Sequence, residues 1–237
     1  MSKLHVKQIE GYVTSKLKAV VNMDDYAGHS DAGQVHKALL TRGLAGLAAS
    51  HLTEAPLEEL ASYITDGPKD GGIDLIFFDA KERTLYLVQS KWHDDGHGSI
   101  ELGDALKFVE GVRKVLDNDL DELNDRIKAR RADIERALFD ANAKFVLVLA
   151  HTGQEPLSSE VSAAVSKYVD AQNDTSELMF VRVLTQAELH KAVAAGIAGA
   201  PISVEVQVAG WVAGIAKTGR HPSHLGNQIF YCLQSVG

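Results

Sequence analysis

Among the features of this sequence, the apolar run AKFVLVLA at residues 143–150, which has the length of a β-strand, restricts the possible folds most strongly. A strand with one solvated face alternates apolar and polar residues, whereas a run without alternation is typical of a strand buried on both faces. Helices on both sides of a sheet bury such a strand. Other segments have helical or strand-like spacing, namely helices at 33–52, 155–171 and 186–195 and strands at 73–79, 84–91 and 178–184. We therefore predict an α/β fold with a mixed β-sheet core flanked by α-helices.

The chain has 237 residues, of which 45% are hydrophobic, so it is long enough for one domain with a large core. We predict a domain at 1–208, with its core at about 33–184. We interpret residues 209–237 as a C-terminal extension, the remnant of a longer second region.

The charge and the termini restrict the partners and the location of the protein. A formal net charge of −8 disfavours broad, charge-driven binding of nucleic acid, although a local basic groove or a set of metal-holding acids is compatible with it. The N-terminus lacks the long apolar run of a signal peptide, and no stretch is apolar enough to span a membrane. Cys232 is the single cysteine, so no internal disulfide can form. We predict a cytoplasmic protein.

Two polar segments frame the first pair of strands. The segment Asp70-Gly71-Gly72-Ile73-Asp74 precedes one strand, and Gln89-Ser90-Lys91 ends the next. If a hairpin pairs Asp79 with Thr84, the same register places Asp74 directly opposite Gln89, with Cβ atoms about 4.5–5.5 Å apart. Alternation along the strand then places Lys91 on the same face, and a slip of one residue would separate the group.

These residue types have a clear chemical use together. Mg²⁺ prefers oxygen ligands, which Asp74 and the amide of Gln89 supply, and Asp70 is a further candidate ligand. Such a metal polarises a phosphoryl oxygen and helps to generate hydroxide. The ammonium of Lys91 can orient the attacking water and stabilise the charge that develops on the phosphate. The pattern therefore predicts a phosphodiester-hydrolysing metal site.

The same segments resemble the N-terminal domain of the abortive-infection phage-resistance (AIPR) family, in the PD-(D/E)xK superfamily with the Mrr-like restriction endonucleases. The resemblance is carried by DGPKDGGID at 66–74, TLYLVQSK at 84–91, ALKFVEG at 105–111 and AHTG at 150–153. Glutamine stands in place of the middle acid, as in the Mrr type. The specific motif spans 66–91, and a looser similarity extends to about residue 208.

The resemblance implies a restriction-endonuclease-like fold and a Mg²⁺- or Mn²⁺-dependent endonuclease. Its partner would be nucleic acid, with DNA as the expected substrate, and its role would be antiviral defence against phage. The catalytic residues carried over are Asp74, Gln89 and Lys91.

Two departures from the pattern keep a second interpretation open. AIPR proteins are usually much longer, and nucleases of this superfamily usually carry an acid on the first core helix, whereas residues 33–52 contain none. Asp31 at the edge of that helix and Glu58 on the next one are the candidate additional acids. The alternative is a catalytically inactive nuclease-fold module for binding or interaction in phage defence.

Overall fold

A computed structural model describes residues 3–198, with side chains up to residue 196. The helices are α1 (Lys3–Leu17), α2 (Ala32–Thr53), α3 (Leu57–Leu60), α4 (Leu102–Leu116), α5 (Asp125–Lys128), α6 (Arg131–Leu138), α7 (Ser159–Gln172) and α8 (Gln186–Ala198). The strands are β1 (Leu75–Asp79), β2 (Thr84–Lys91), β3 (Lys144–His151) and β4 (Met179–Leu184). Short 3₁₀ helices lie at Asp24–Tyr26 and Ala61–Tyr63. The predicted extension at 209–237 and Cys232 lie outside the described residues.

The strands form one mixed sheet in the order β1-β2-β3-β4. The hairpin strands β1 and β2 are antiparallel, whereas β2, β3 and β4 run parallel. Asp79 pairs with Thr84 and Leu75 with Val88, so the predicted hairpin register is confirmed within the strands. The prediction of an α/β fold with a mixed sheet flanked by helices is also confirmed.

Each face of the sheet has its own apolar cluster. Leu75, Phe77 and Val88 pack in a cluster that includes residues of α1, α2, α3 and α8. The opposite cluster contains Ile76 and Leu85 together with residues of α4, α5, α6 and α7. Successive residues of β3 join opposite clusters, which is why its sequence shows no polar alternation.

Two details differ from the sequence-based expectation. The sequence of residues 100–140 predicts two helices with a break near 117–119, whereas the structure has three, because Asn124 caps a separate short helix by accepting a hydrogen bond from Ile127 N. The apolar run at 178–184 predicts a further buried strand, but this is wrong: only the end residues Met179 and Leu184 of β4 are buried, and the residues between them are half-buried or exposed.

The directions of the strands bring the polar residues of the predicted site to one edge of the sheet. The parallel strands β2, β3 and β4 end at the same edge, where the antiparallel β1 begins. Lys91 and His151 are register partners at that edge. In open sheets with parallel strands, ligands bind outside the carboxyl ends of the strands. Among the described residues, no helix is both long and apolar enough to cross a membrane.

Candidate metal centre

Three carboxylates meet where the 65–74 loop enters β1. Asp66, Asp70 and Asp74 each offer one oxygen, and these atoms all lie within 4.8 Å of one another. Asp70 and Asp74 are buried and Asp66 is half-buried. Such an arrangement can hold a metal ion. Of the three, Asp66 was missed by sequence reasoning, although its position four residues before Asp70 in a glycine-rich loop was an available signal.

The glycines of this loop permit its close approach to α4. Gly71 and Gly72 have φ angles of 64° and 78°, a conformation that favours glycine. A Cβ on Gly72 would lie 3.0 Å from Phe108 N. In this loop conformation the carboxylate of Asp70 accepts hydrogen bonds from two backbone amides of the same loop, Gly72 N at 2.7 Å and Gly67 N at 3.2 Å.

Asp74 is as buried as Asp70, and its side chain is bonded to Ser90 of β2. Its Oδ2 accepts a hydrogen bond of 2.7 Å from Ser90 N and lies 2.9 Å from Ser90 Oγ. Burial raises the pKa of Asp74 to about 8, and the charges of Asp66 and Asp70 act in the same direction, whereas the contacts with Ser90 lower it. Without a bound metal ion, Asp74 therefore retains its proton at neutral pH.

Gln89 and Lys91 share a face, as predicted, but both are bonded to Asp104 on α4. Gln89 Nε2 donates to the Asp104 carbonyl at 3.0 Å, and Lys91 Nζ lies 2.8 Å from Asp104 Oδ1. Asp74 is bonded instead to Ser90, the residue between them. The side chain of Gln89 is buried, and its Oε1 has no hydrogen-bond partner in the described part of the chain. The amide of Gln89 lies beside the loop, since a Cβ on Gly72 would lie 3.1 Å from Gln89 Nε2.

Two cations already neutralise part of the carboxylate charge. Arg42 of α2 is fully buried, and its Nε donates to Asp66 Oδ2 at 2.7 Å while its terminal nitrogens bind Asp25. Lys107 of α4 places Nζ 2.7 Å from Asp70 Oδ1. Burial acts to lower the pKa of Lys107, but the hydrogen bond to Asp70 and the surrounding carboxylates raise it overall. The helix that lacks an acid thus contributes a buried arginine.

The two candidate additional acids have other partners. Glu58 Oε1 pairs with Lys16 Nζ at 3.1 Å, and Asp31 caps α2 by accepting from the backbone of Gly33 and Gln34. Neither belongs to the three-aspartate group. The helix carboxylate that the fold brings to Gln89 and Lys91 is Asp104, which the sequence pattern did not single out.

His151, the register partner of Lys91, is fully buried, and neither of its ring nitrogens has a hydrogen-bond partner within residues 3–196. Burial lowers the pKa of His151 to about 4, and His93 adds to this effect, while Glu155 and Glu188 oppose it. Below about pH 6.5 the unfolded chain therefore binds a proton that the folded chain rejects until about pH 4.

This difference in proton binding predicts that acid lowers the stability of the folded protein, and that His151→Leu reduces this loss. Wild type should lose stability as the pH falls from 6.5 towards 4, and the variant should lose less. Thermal melts at pH 7.5 and 5.0 test this, with His51→Leu at an exposed position as the matched control. An equal drop in Tm for wild type and His151→Leu would contradict the assignment.

The oxygen-only donor set fits a hard divalent cation such as Mg²⁺ or Mn²⁺. Asp66, Asp70 and Asp74 would supply carboxylate oxygens, and Gln89, whose side chain lies beside Gly72 of this loop, has an unpartnered Oε1 as a further oxygen.

Comparison with known proteins adds no family to this geometry: no protein-family model, curated protein or solved structure matches the chain.

Proposed function

We propose that the protein is a Mg²⁺-dependent endonuclease with a restriction-endonuclease-like fold that hydrolyses phosphodiester bonds of DNA in anti-phage defence. The observation that carries this proposal is the meeting of Asp66, Asp70 and Asp74 at the sheet edge where Lys91 ends β2. The resemblance of residues 66–91 to AIPR proteins supports the defence role.

The contacts of each residue suggest its role in phosphodiester hydrolysis. Asp66, Asp70, Asp74 and Gln89 would hold the cation, which when bound supplies Lewis acidity and an activated water. Lys91 would approach the scissile phosphate and stabilise its developing charge. Asp104 is a positioning residue, because it contacts both Gln89 and Lys91.

One observation favours a second candidate, the catalytically inactive nuclease-fold module. The hydrogen bonds of Gln89 and the ion pair of Lys91 go to Asp104, while Asp74 is bonded to Ser90. An active enzyme requires Lys91 to exchange Asp104 for a phosphate oxygen. The ammonium has the freedom to do so, since the Lys91 side chain is 35% exposed.

A cleavage assay separates the two candidates. Plasmid, linear duplex, single-stranded DNA and RNA are incubated with the full chain in Mg²⁺, Mn²⁺ or EDTA. We expect cutting of DNA with either metal, none in EDTA, and a loss of about 100-fold or more for Lys91→Ala, as for the removal of a group that stabilises transition-state charge. Equal cutting by wild type and Lys91→Ala would refute the nuclease assignment, and binding of DNA without any cutting would favour the inactive module.

A further inference from the structure

An open groove of 670 Å³ lies beside the three aspartates. Lys69, Lys107 and Lys114 line it together with three acidic residues, Glu110, Asp121 and Glu122. Gly71, which follows Asp70 in the loop, is also part of its wall. The groove therefore adjoins the candidate metal centre through Gly71 and Lys107, although the aspartates themselves do not line it.

Lys107 belongs to both the groove and the metal centre. Its Nζ lies 2.7 Å from Asp70 Oδ1, yet its side chain is 56% exposed, while that of Asp70 is only 8% exposed. A lysine stem of this exposure can move its ammonium to another partner with little change in burial. Arg42, the other cation of the cluster, is fully buried and is held by several hydrogen bonds, so it cannot leave Asp66 in the same way.

The ammonium of Lys107 and a divalent cation compete for the same negative charge. Asp70 Oδ1 already accepts a hydrogen bond from Gly72 N, so little of its capacity is left while Lys107 is bound. A cation held among the three carboxylates would also repel the nearby ammonium across a poorly solvated space. Metal binding thus favours release of Lys107 into the groove.

We propose that Lys107 couples metal binding to nucleic-acid binding: its ammonium occupies Asp70 in the metal-free protein and moves to a backbone phosphate in the groove when the metal binds. The identity of the polyanion rests on the proposed nuclease function, whereas the competition with the metal does not. Because coupling between two ligands is reciprocal, DNA in the groove should also raise the affinity for the metal.

The competition is tested by calorimetric titration of the full chain with Mn²⁺ alone. Lys107→Met should bind Mn²⁺ roughly tenfold more tightly than wild type, since the competing cation is gone. Lys114→Met is the matched control, because Lys114 lines the same groove but pairs with Glu122, and its Mn²⁺ affinity should be unchanged. Equal or weaker binding by Lys107→Met overturns the proposal, as does the absence of Mn²⁺ binding by all three proteins.

The coupling is tested by repeating the titration with a hydrolysis-resistant phosphorothioate duplex at saturation. DNA should tighten Mn²⁺ binding at least about threefold more in wild type than in Lys107→Met, because contact between phosphate and metal acts in both proteins and the release of Lys107 acts only in wild type. An equal effect of DNA on both proteins overturns the coupling. The two proposals can fail separately. If Lys107→Met changes Mn²⁺ binding and the effect of DNA as expected but no substrate is cut, the nuclease proposal fails and the coupling stands. If DNA is cut but Lys107→Met changes neither quantity, the coupling fails and the nuclease proposal stands.

Discussion

Asp74→Asn should abolish metal-dependent cleavage, by about 1,000-fold or more, while it stabilises the metal-free protein at alkaline pH. The amide can still accept from Ser90 N, so the local hydrogen bond survives. It removes one of three carboxylates that lie within 4.8 Å of one another, and with it a ligand charge on which metal affinity depends. Loss of activity would therefore accompany a gain in stability, which simple misfolding cannot produce.

The sign of the pH effect follows from the direction of the shift. The pKa of Asp74 in the folded chain is about 8, above its unfolded value of 3.8, so the folded state keeps a proton that the unfolded state releases. The stability of metal-free wild type should consequently fall as the pH rises from about 4 to about 8. Asp74→Asn does not titrate, and its Tm should exceed that of wild type by about 5 °C or more at pH 8.5, with a smaller difference at pH 5.

Thermal melts at both pH values, with EDTA or with Mn²⁺, measure these effects. Asp31→Asn makes the same charge change at the exposed N-cap of α2, where asparagine caps equally well, and should alter neither the pH profile nor the response to Mn²⁺. The assignment of Asp74 would be wrong if Mn²⁺ raised the Tm of wild type and Asp74→Asn by the same amount.

Arg42→Met should cause the largest loss of stability among substitutions in this network, about 3–5 kcal/mol. The guanidinium is fully buried and binds the carboxylates of Asp25 and Asp66. Methionine fills a similar volume but leaves both acids without their main counter-charge. For Asp25, the hydrogen bond to Arg42 is the largest cause of its lowered pKa, so this acid should also become harder to ionise.

Chemical unfolding at pH 7.5 measures the loss, with Arg113→Met as the control. Arg113 also binds two carboxylates, those of Glu110 and Asp117, but its side chain is 52% exposed, so solvent screens these ion pairs and its removal should cost far less. Similar losses for the two variants would show that burial of Arg42 does not govern its contribution.

Local pattern was sufficient wherever a single segment or a tight turn decides the structure. Strand alternation and a short connection determined the hairpin register, and Thr185 with Glu188 marked the start of α8, where Thr185 N donates to Glu188 Oε2 at 3.0 Å. The missing alternation in β3 correctly indicated helices on both faces. The exposure of β4 was mispredicted, because an apolar run does not reveal how completely the flanking helices cover a strand.

The same distinction between local and tertiary information applies to the candidate site. The sequence by itself determined that Asp74, Gln89 and Lys91 stand at one end of a hairpin, since register and alternation are short-range properties. Only the tertiary structure decided their partners: Asp66 and Asp70 join Asp74 because glycines fold the loop back, and Asp104 meets Lys91 because α4 packs on that face. Electrostatic interactions depend on distance in space and on burial, and neither quantity is encoded in the spacing of residues along the chain.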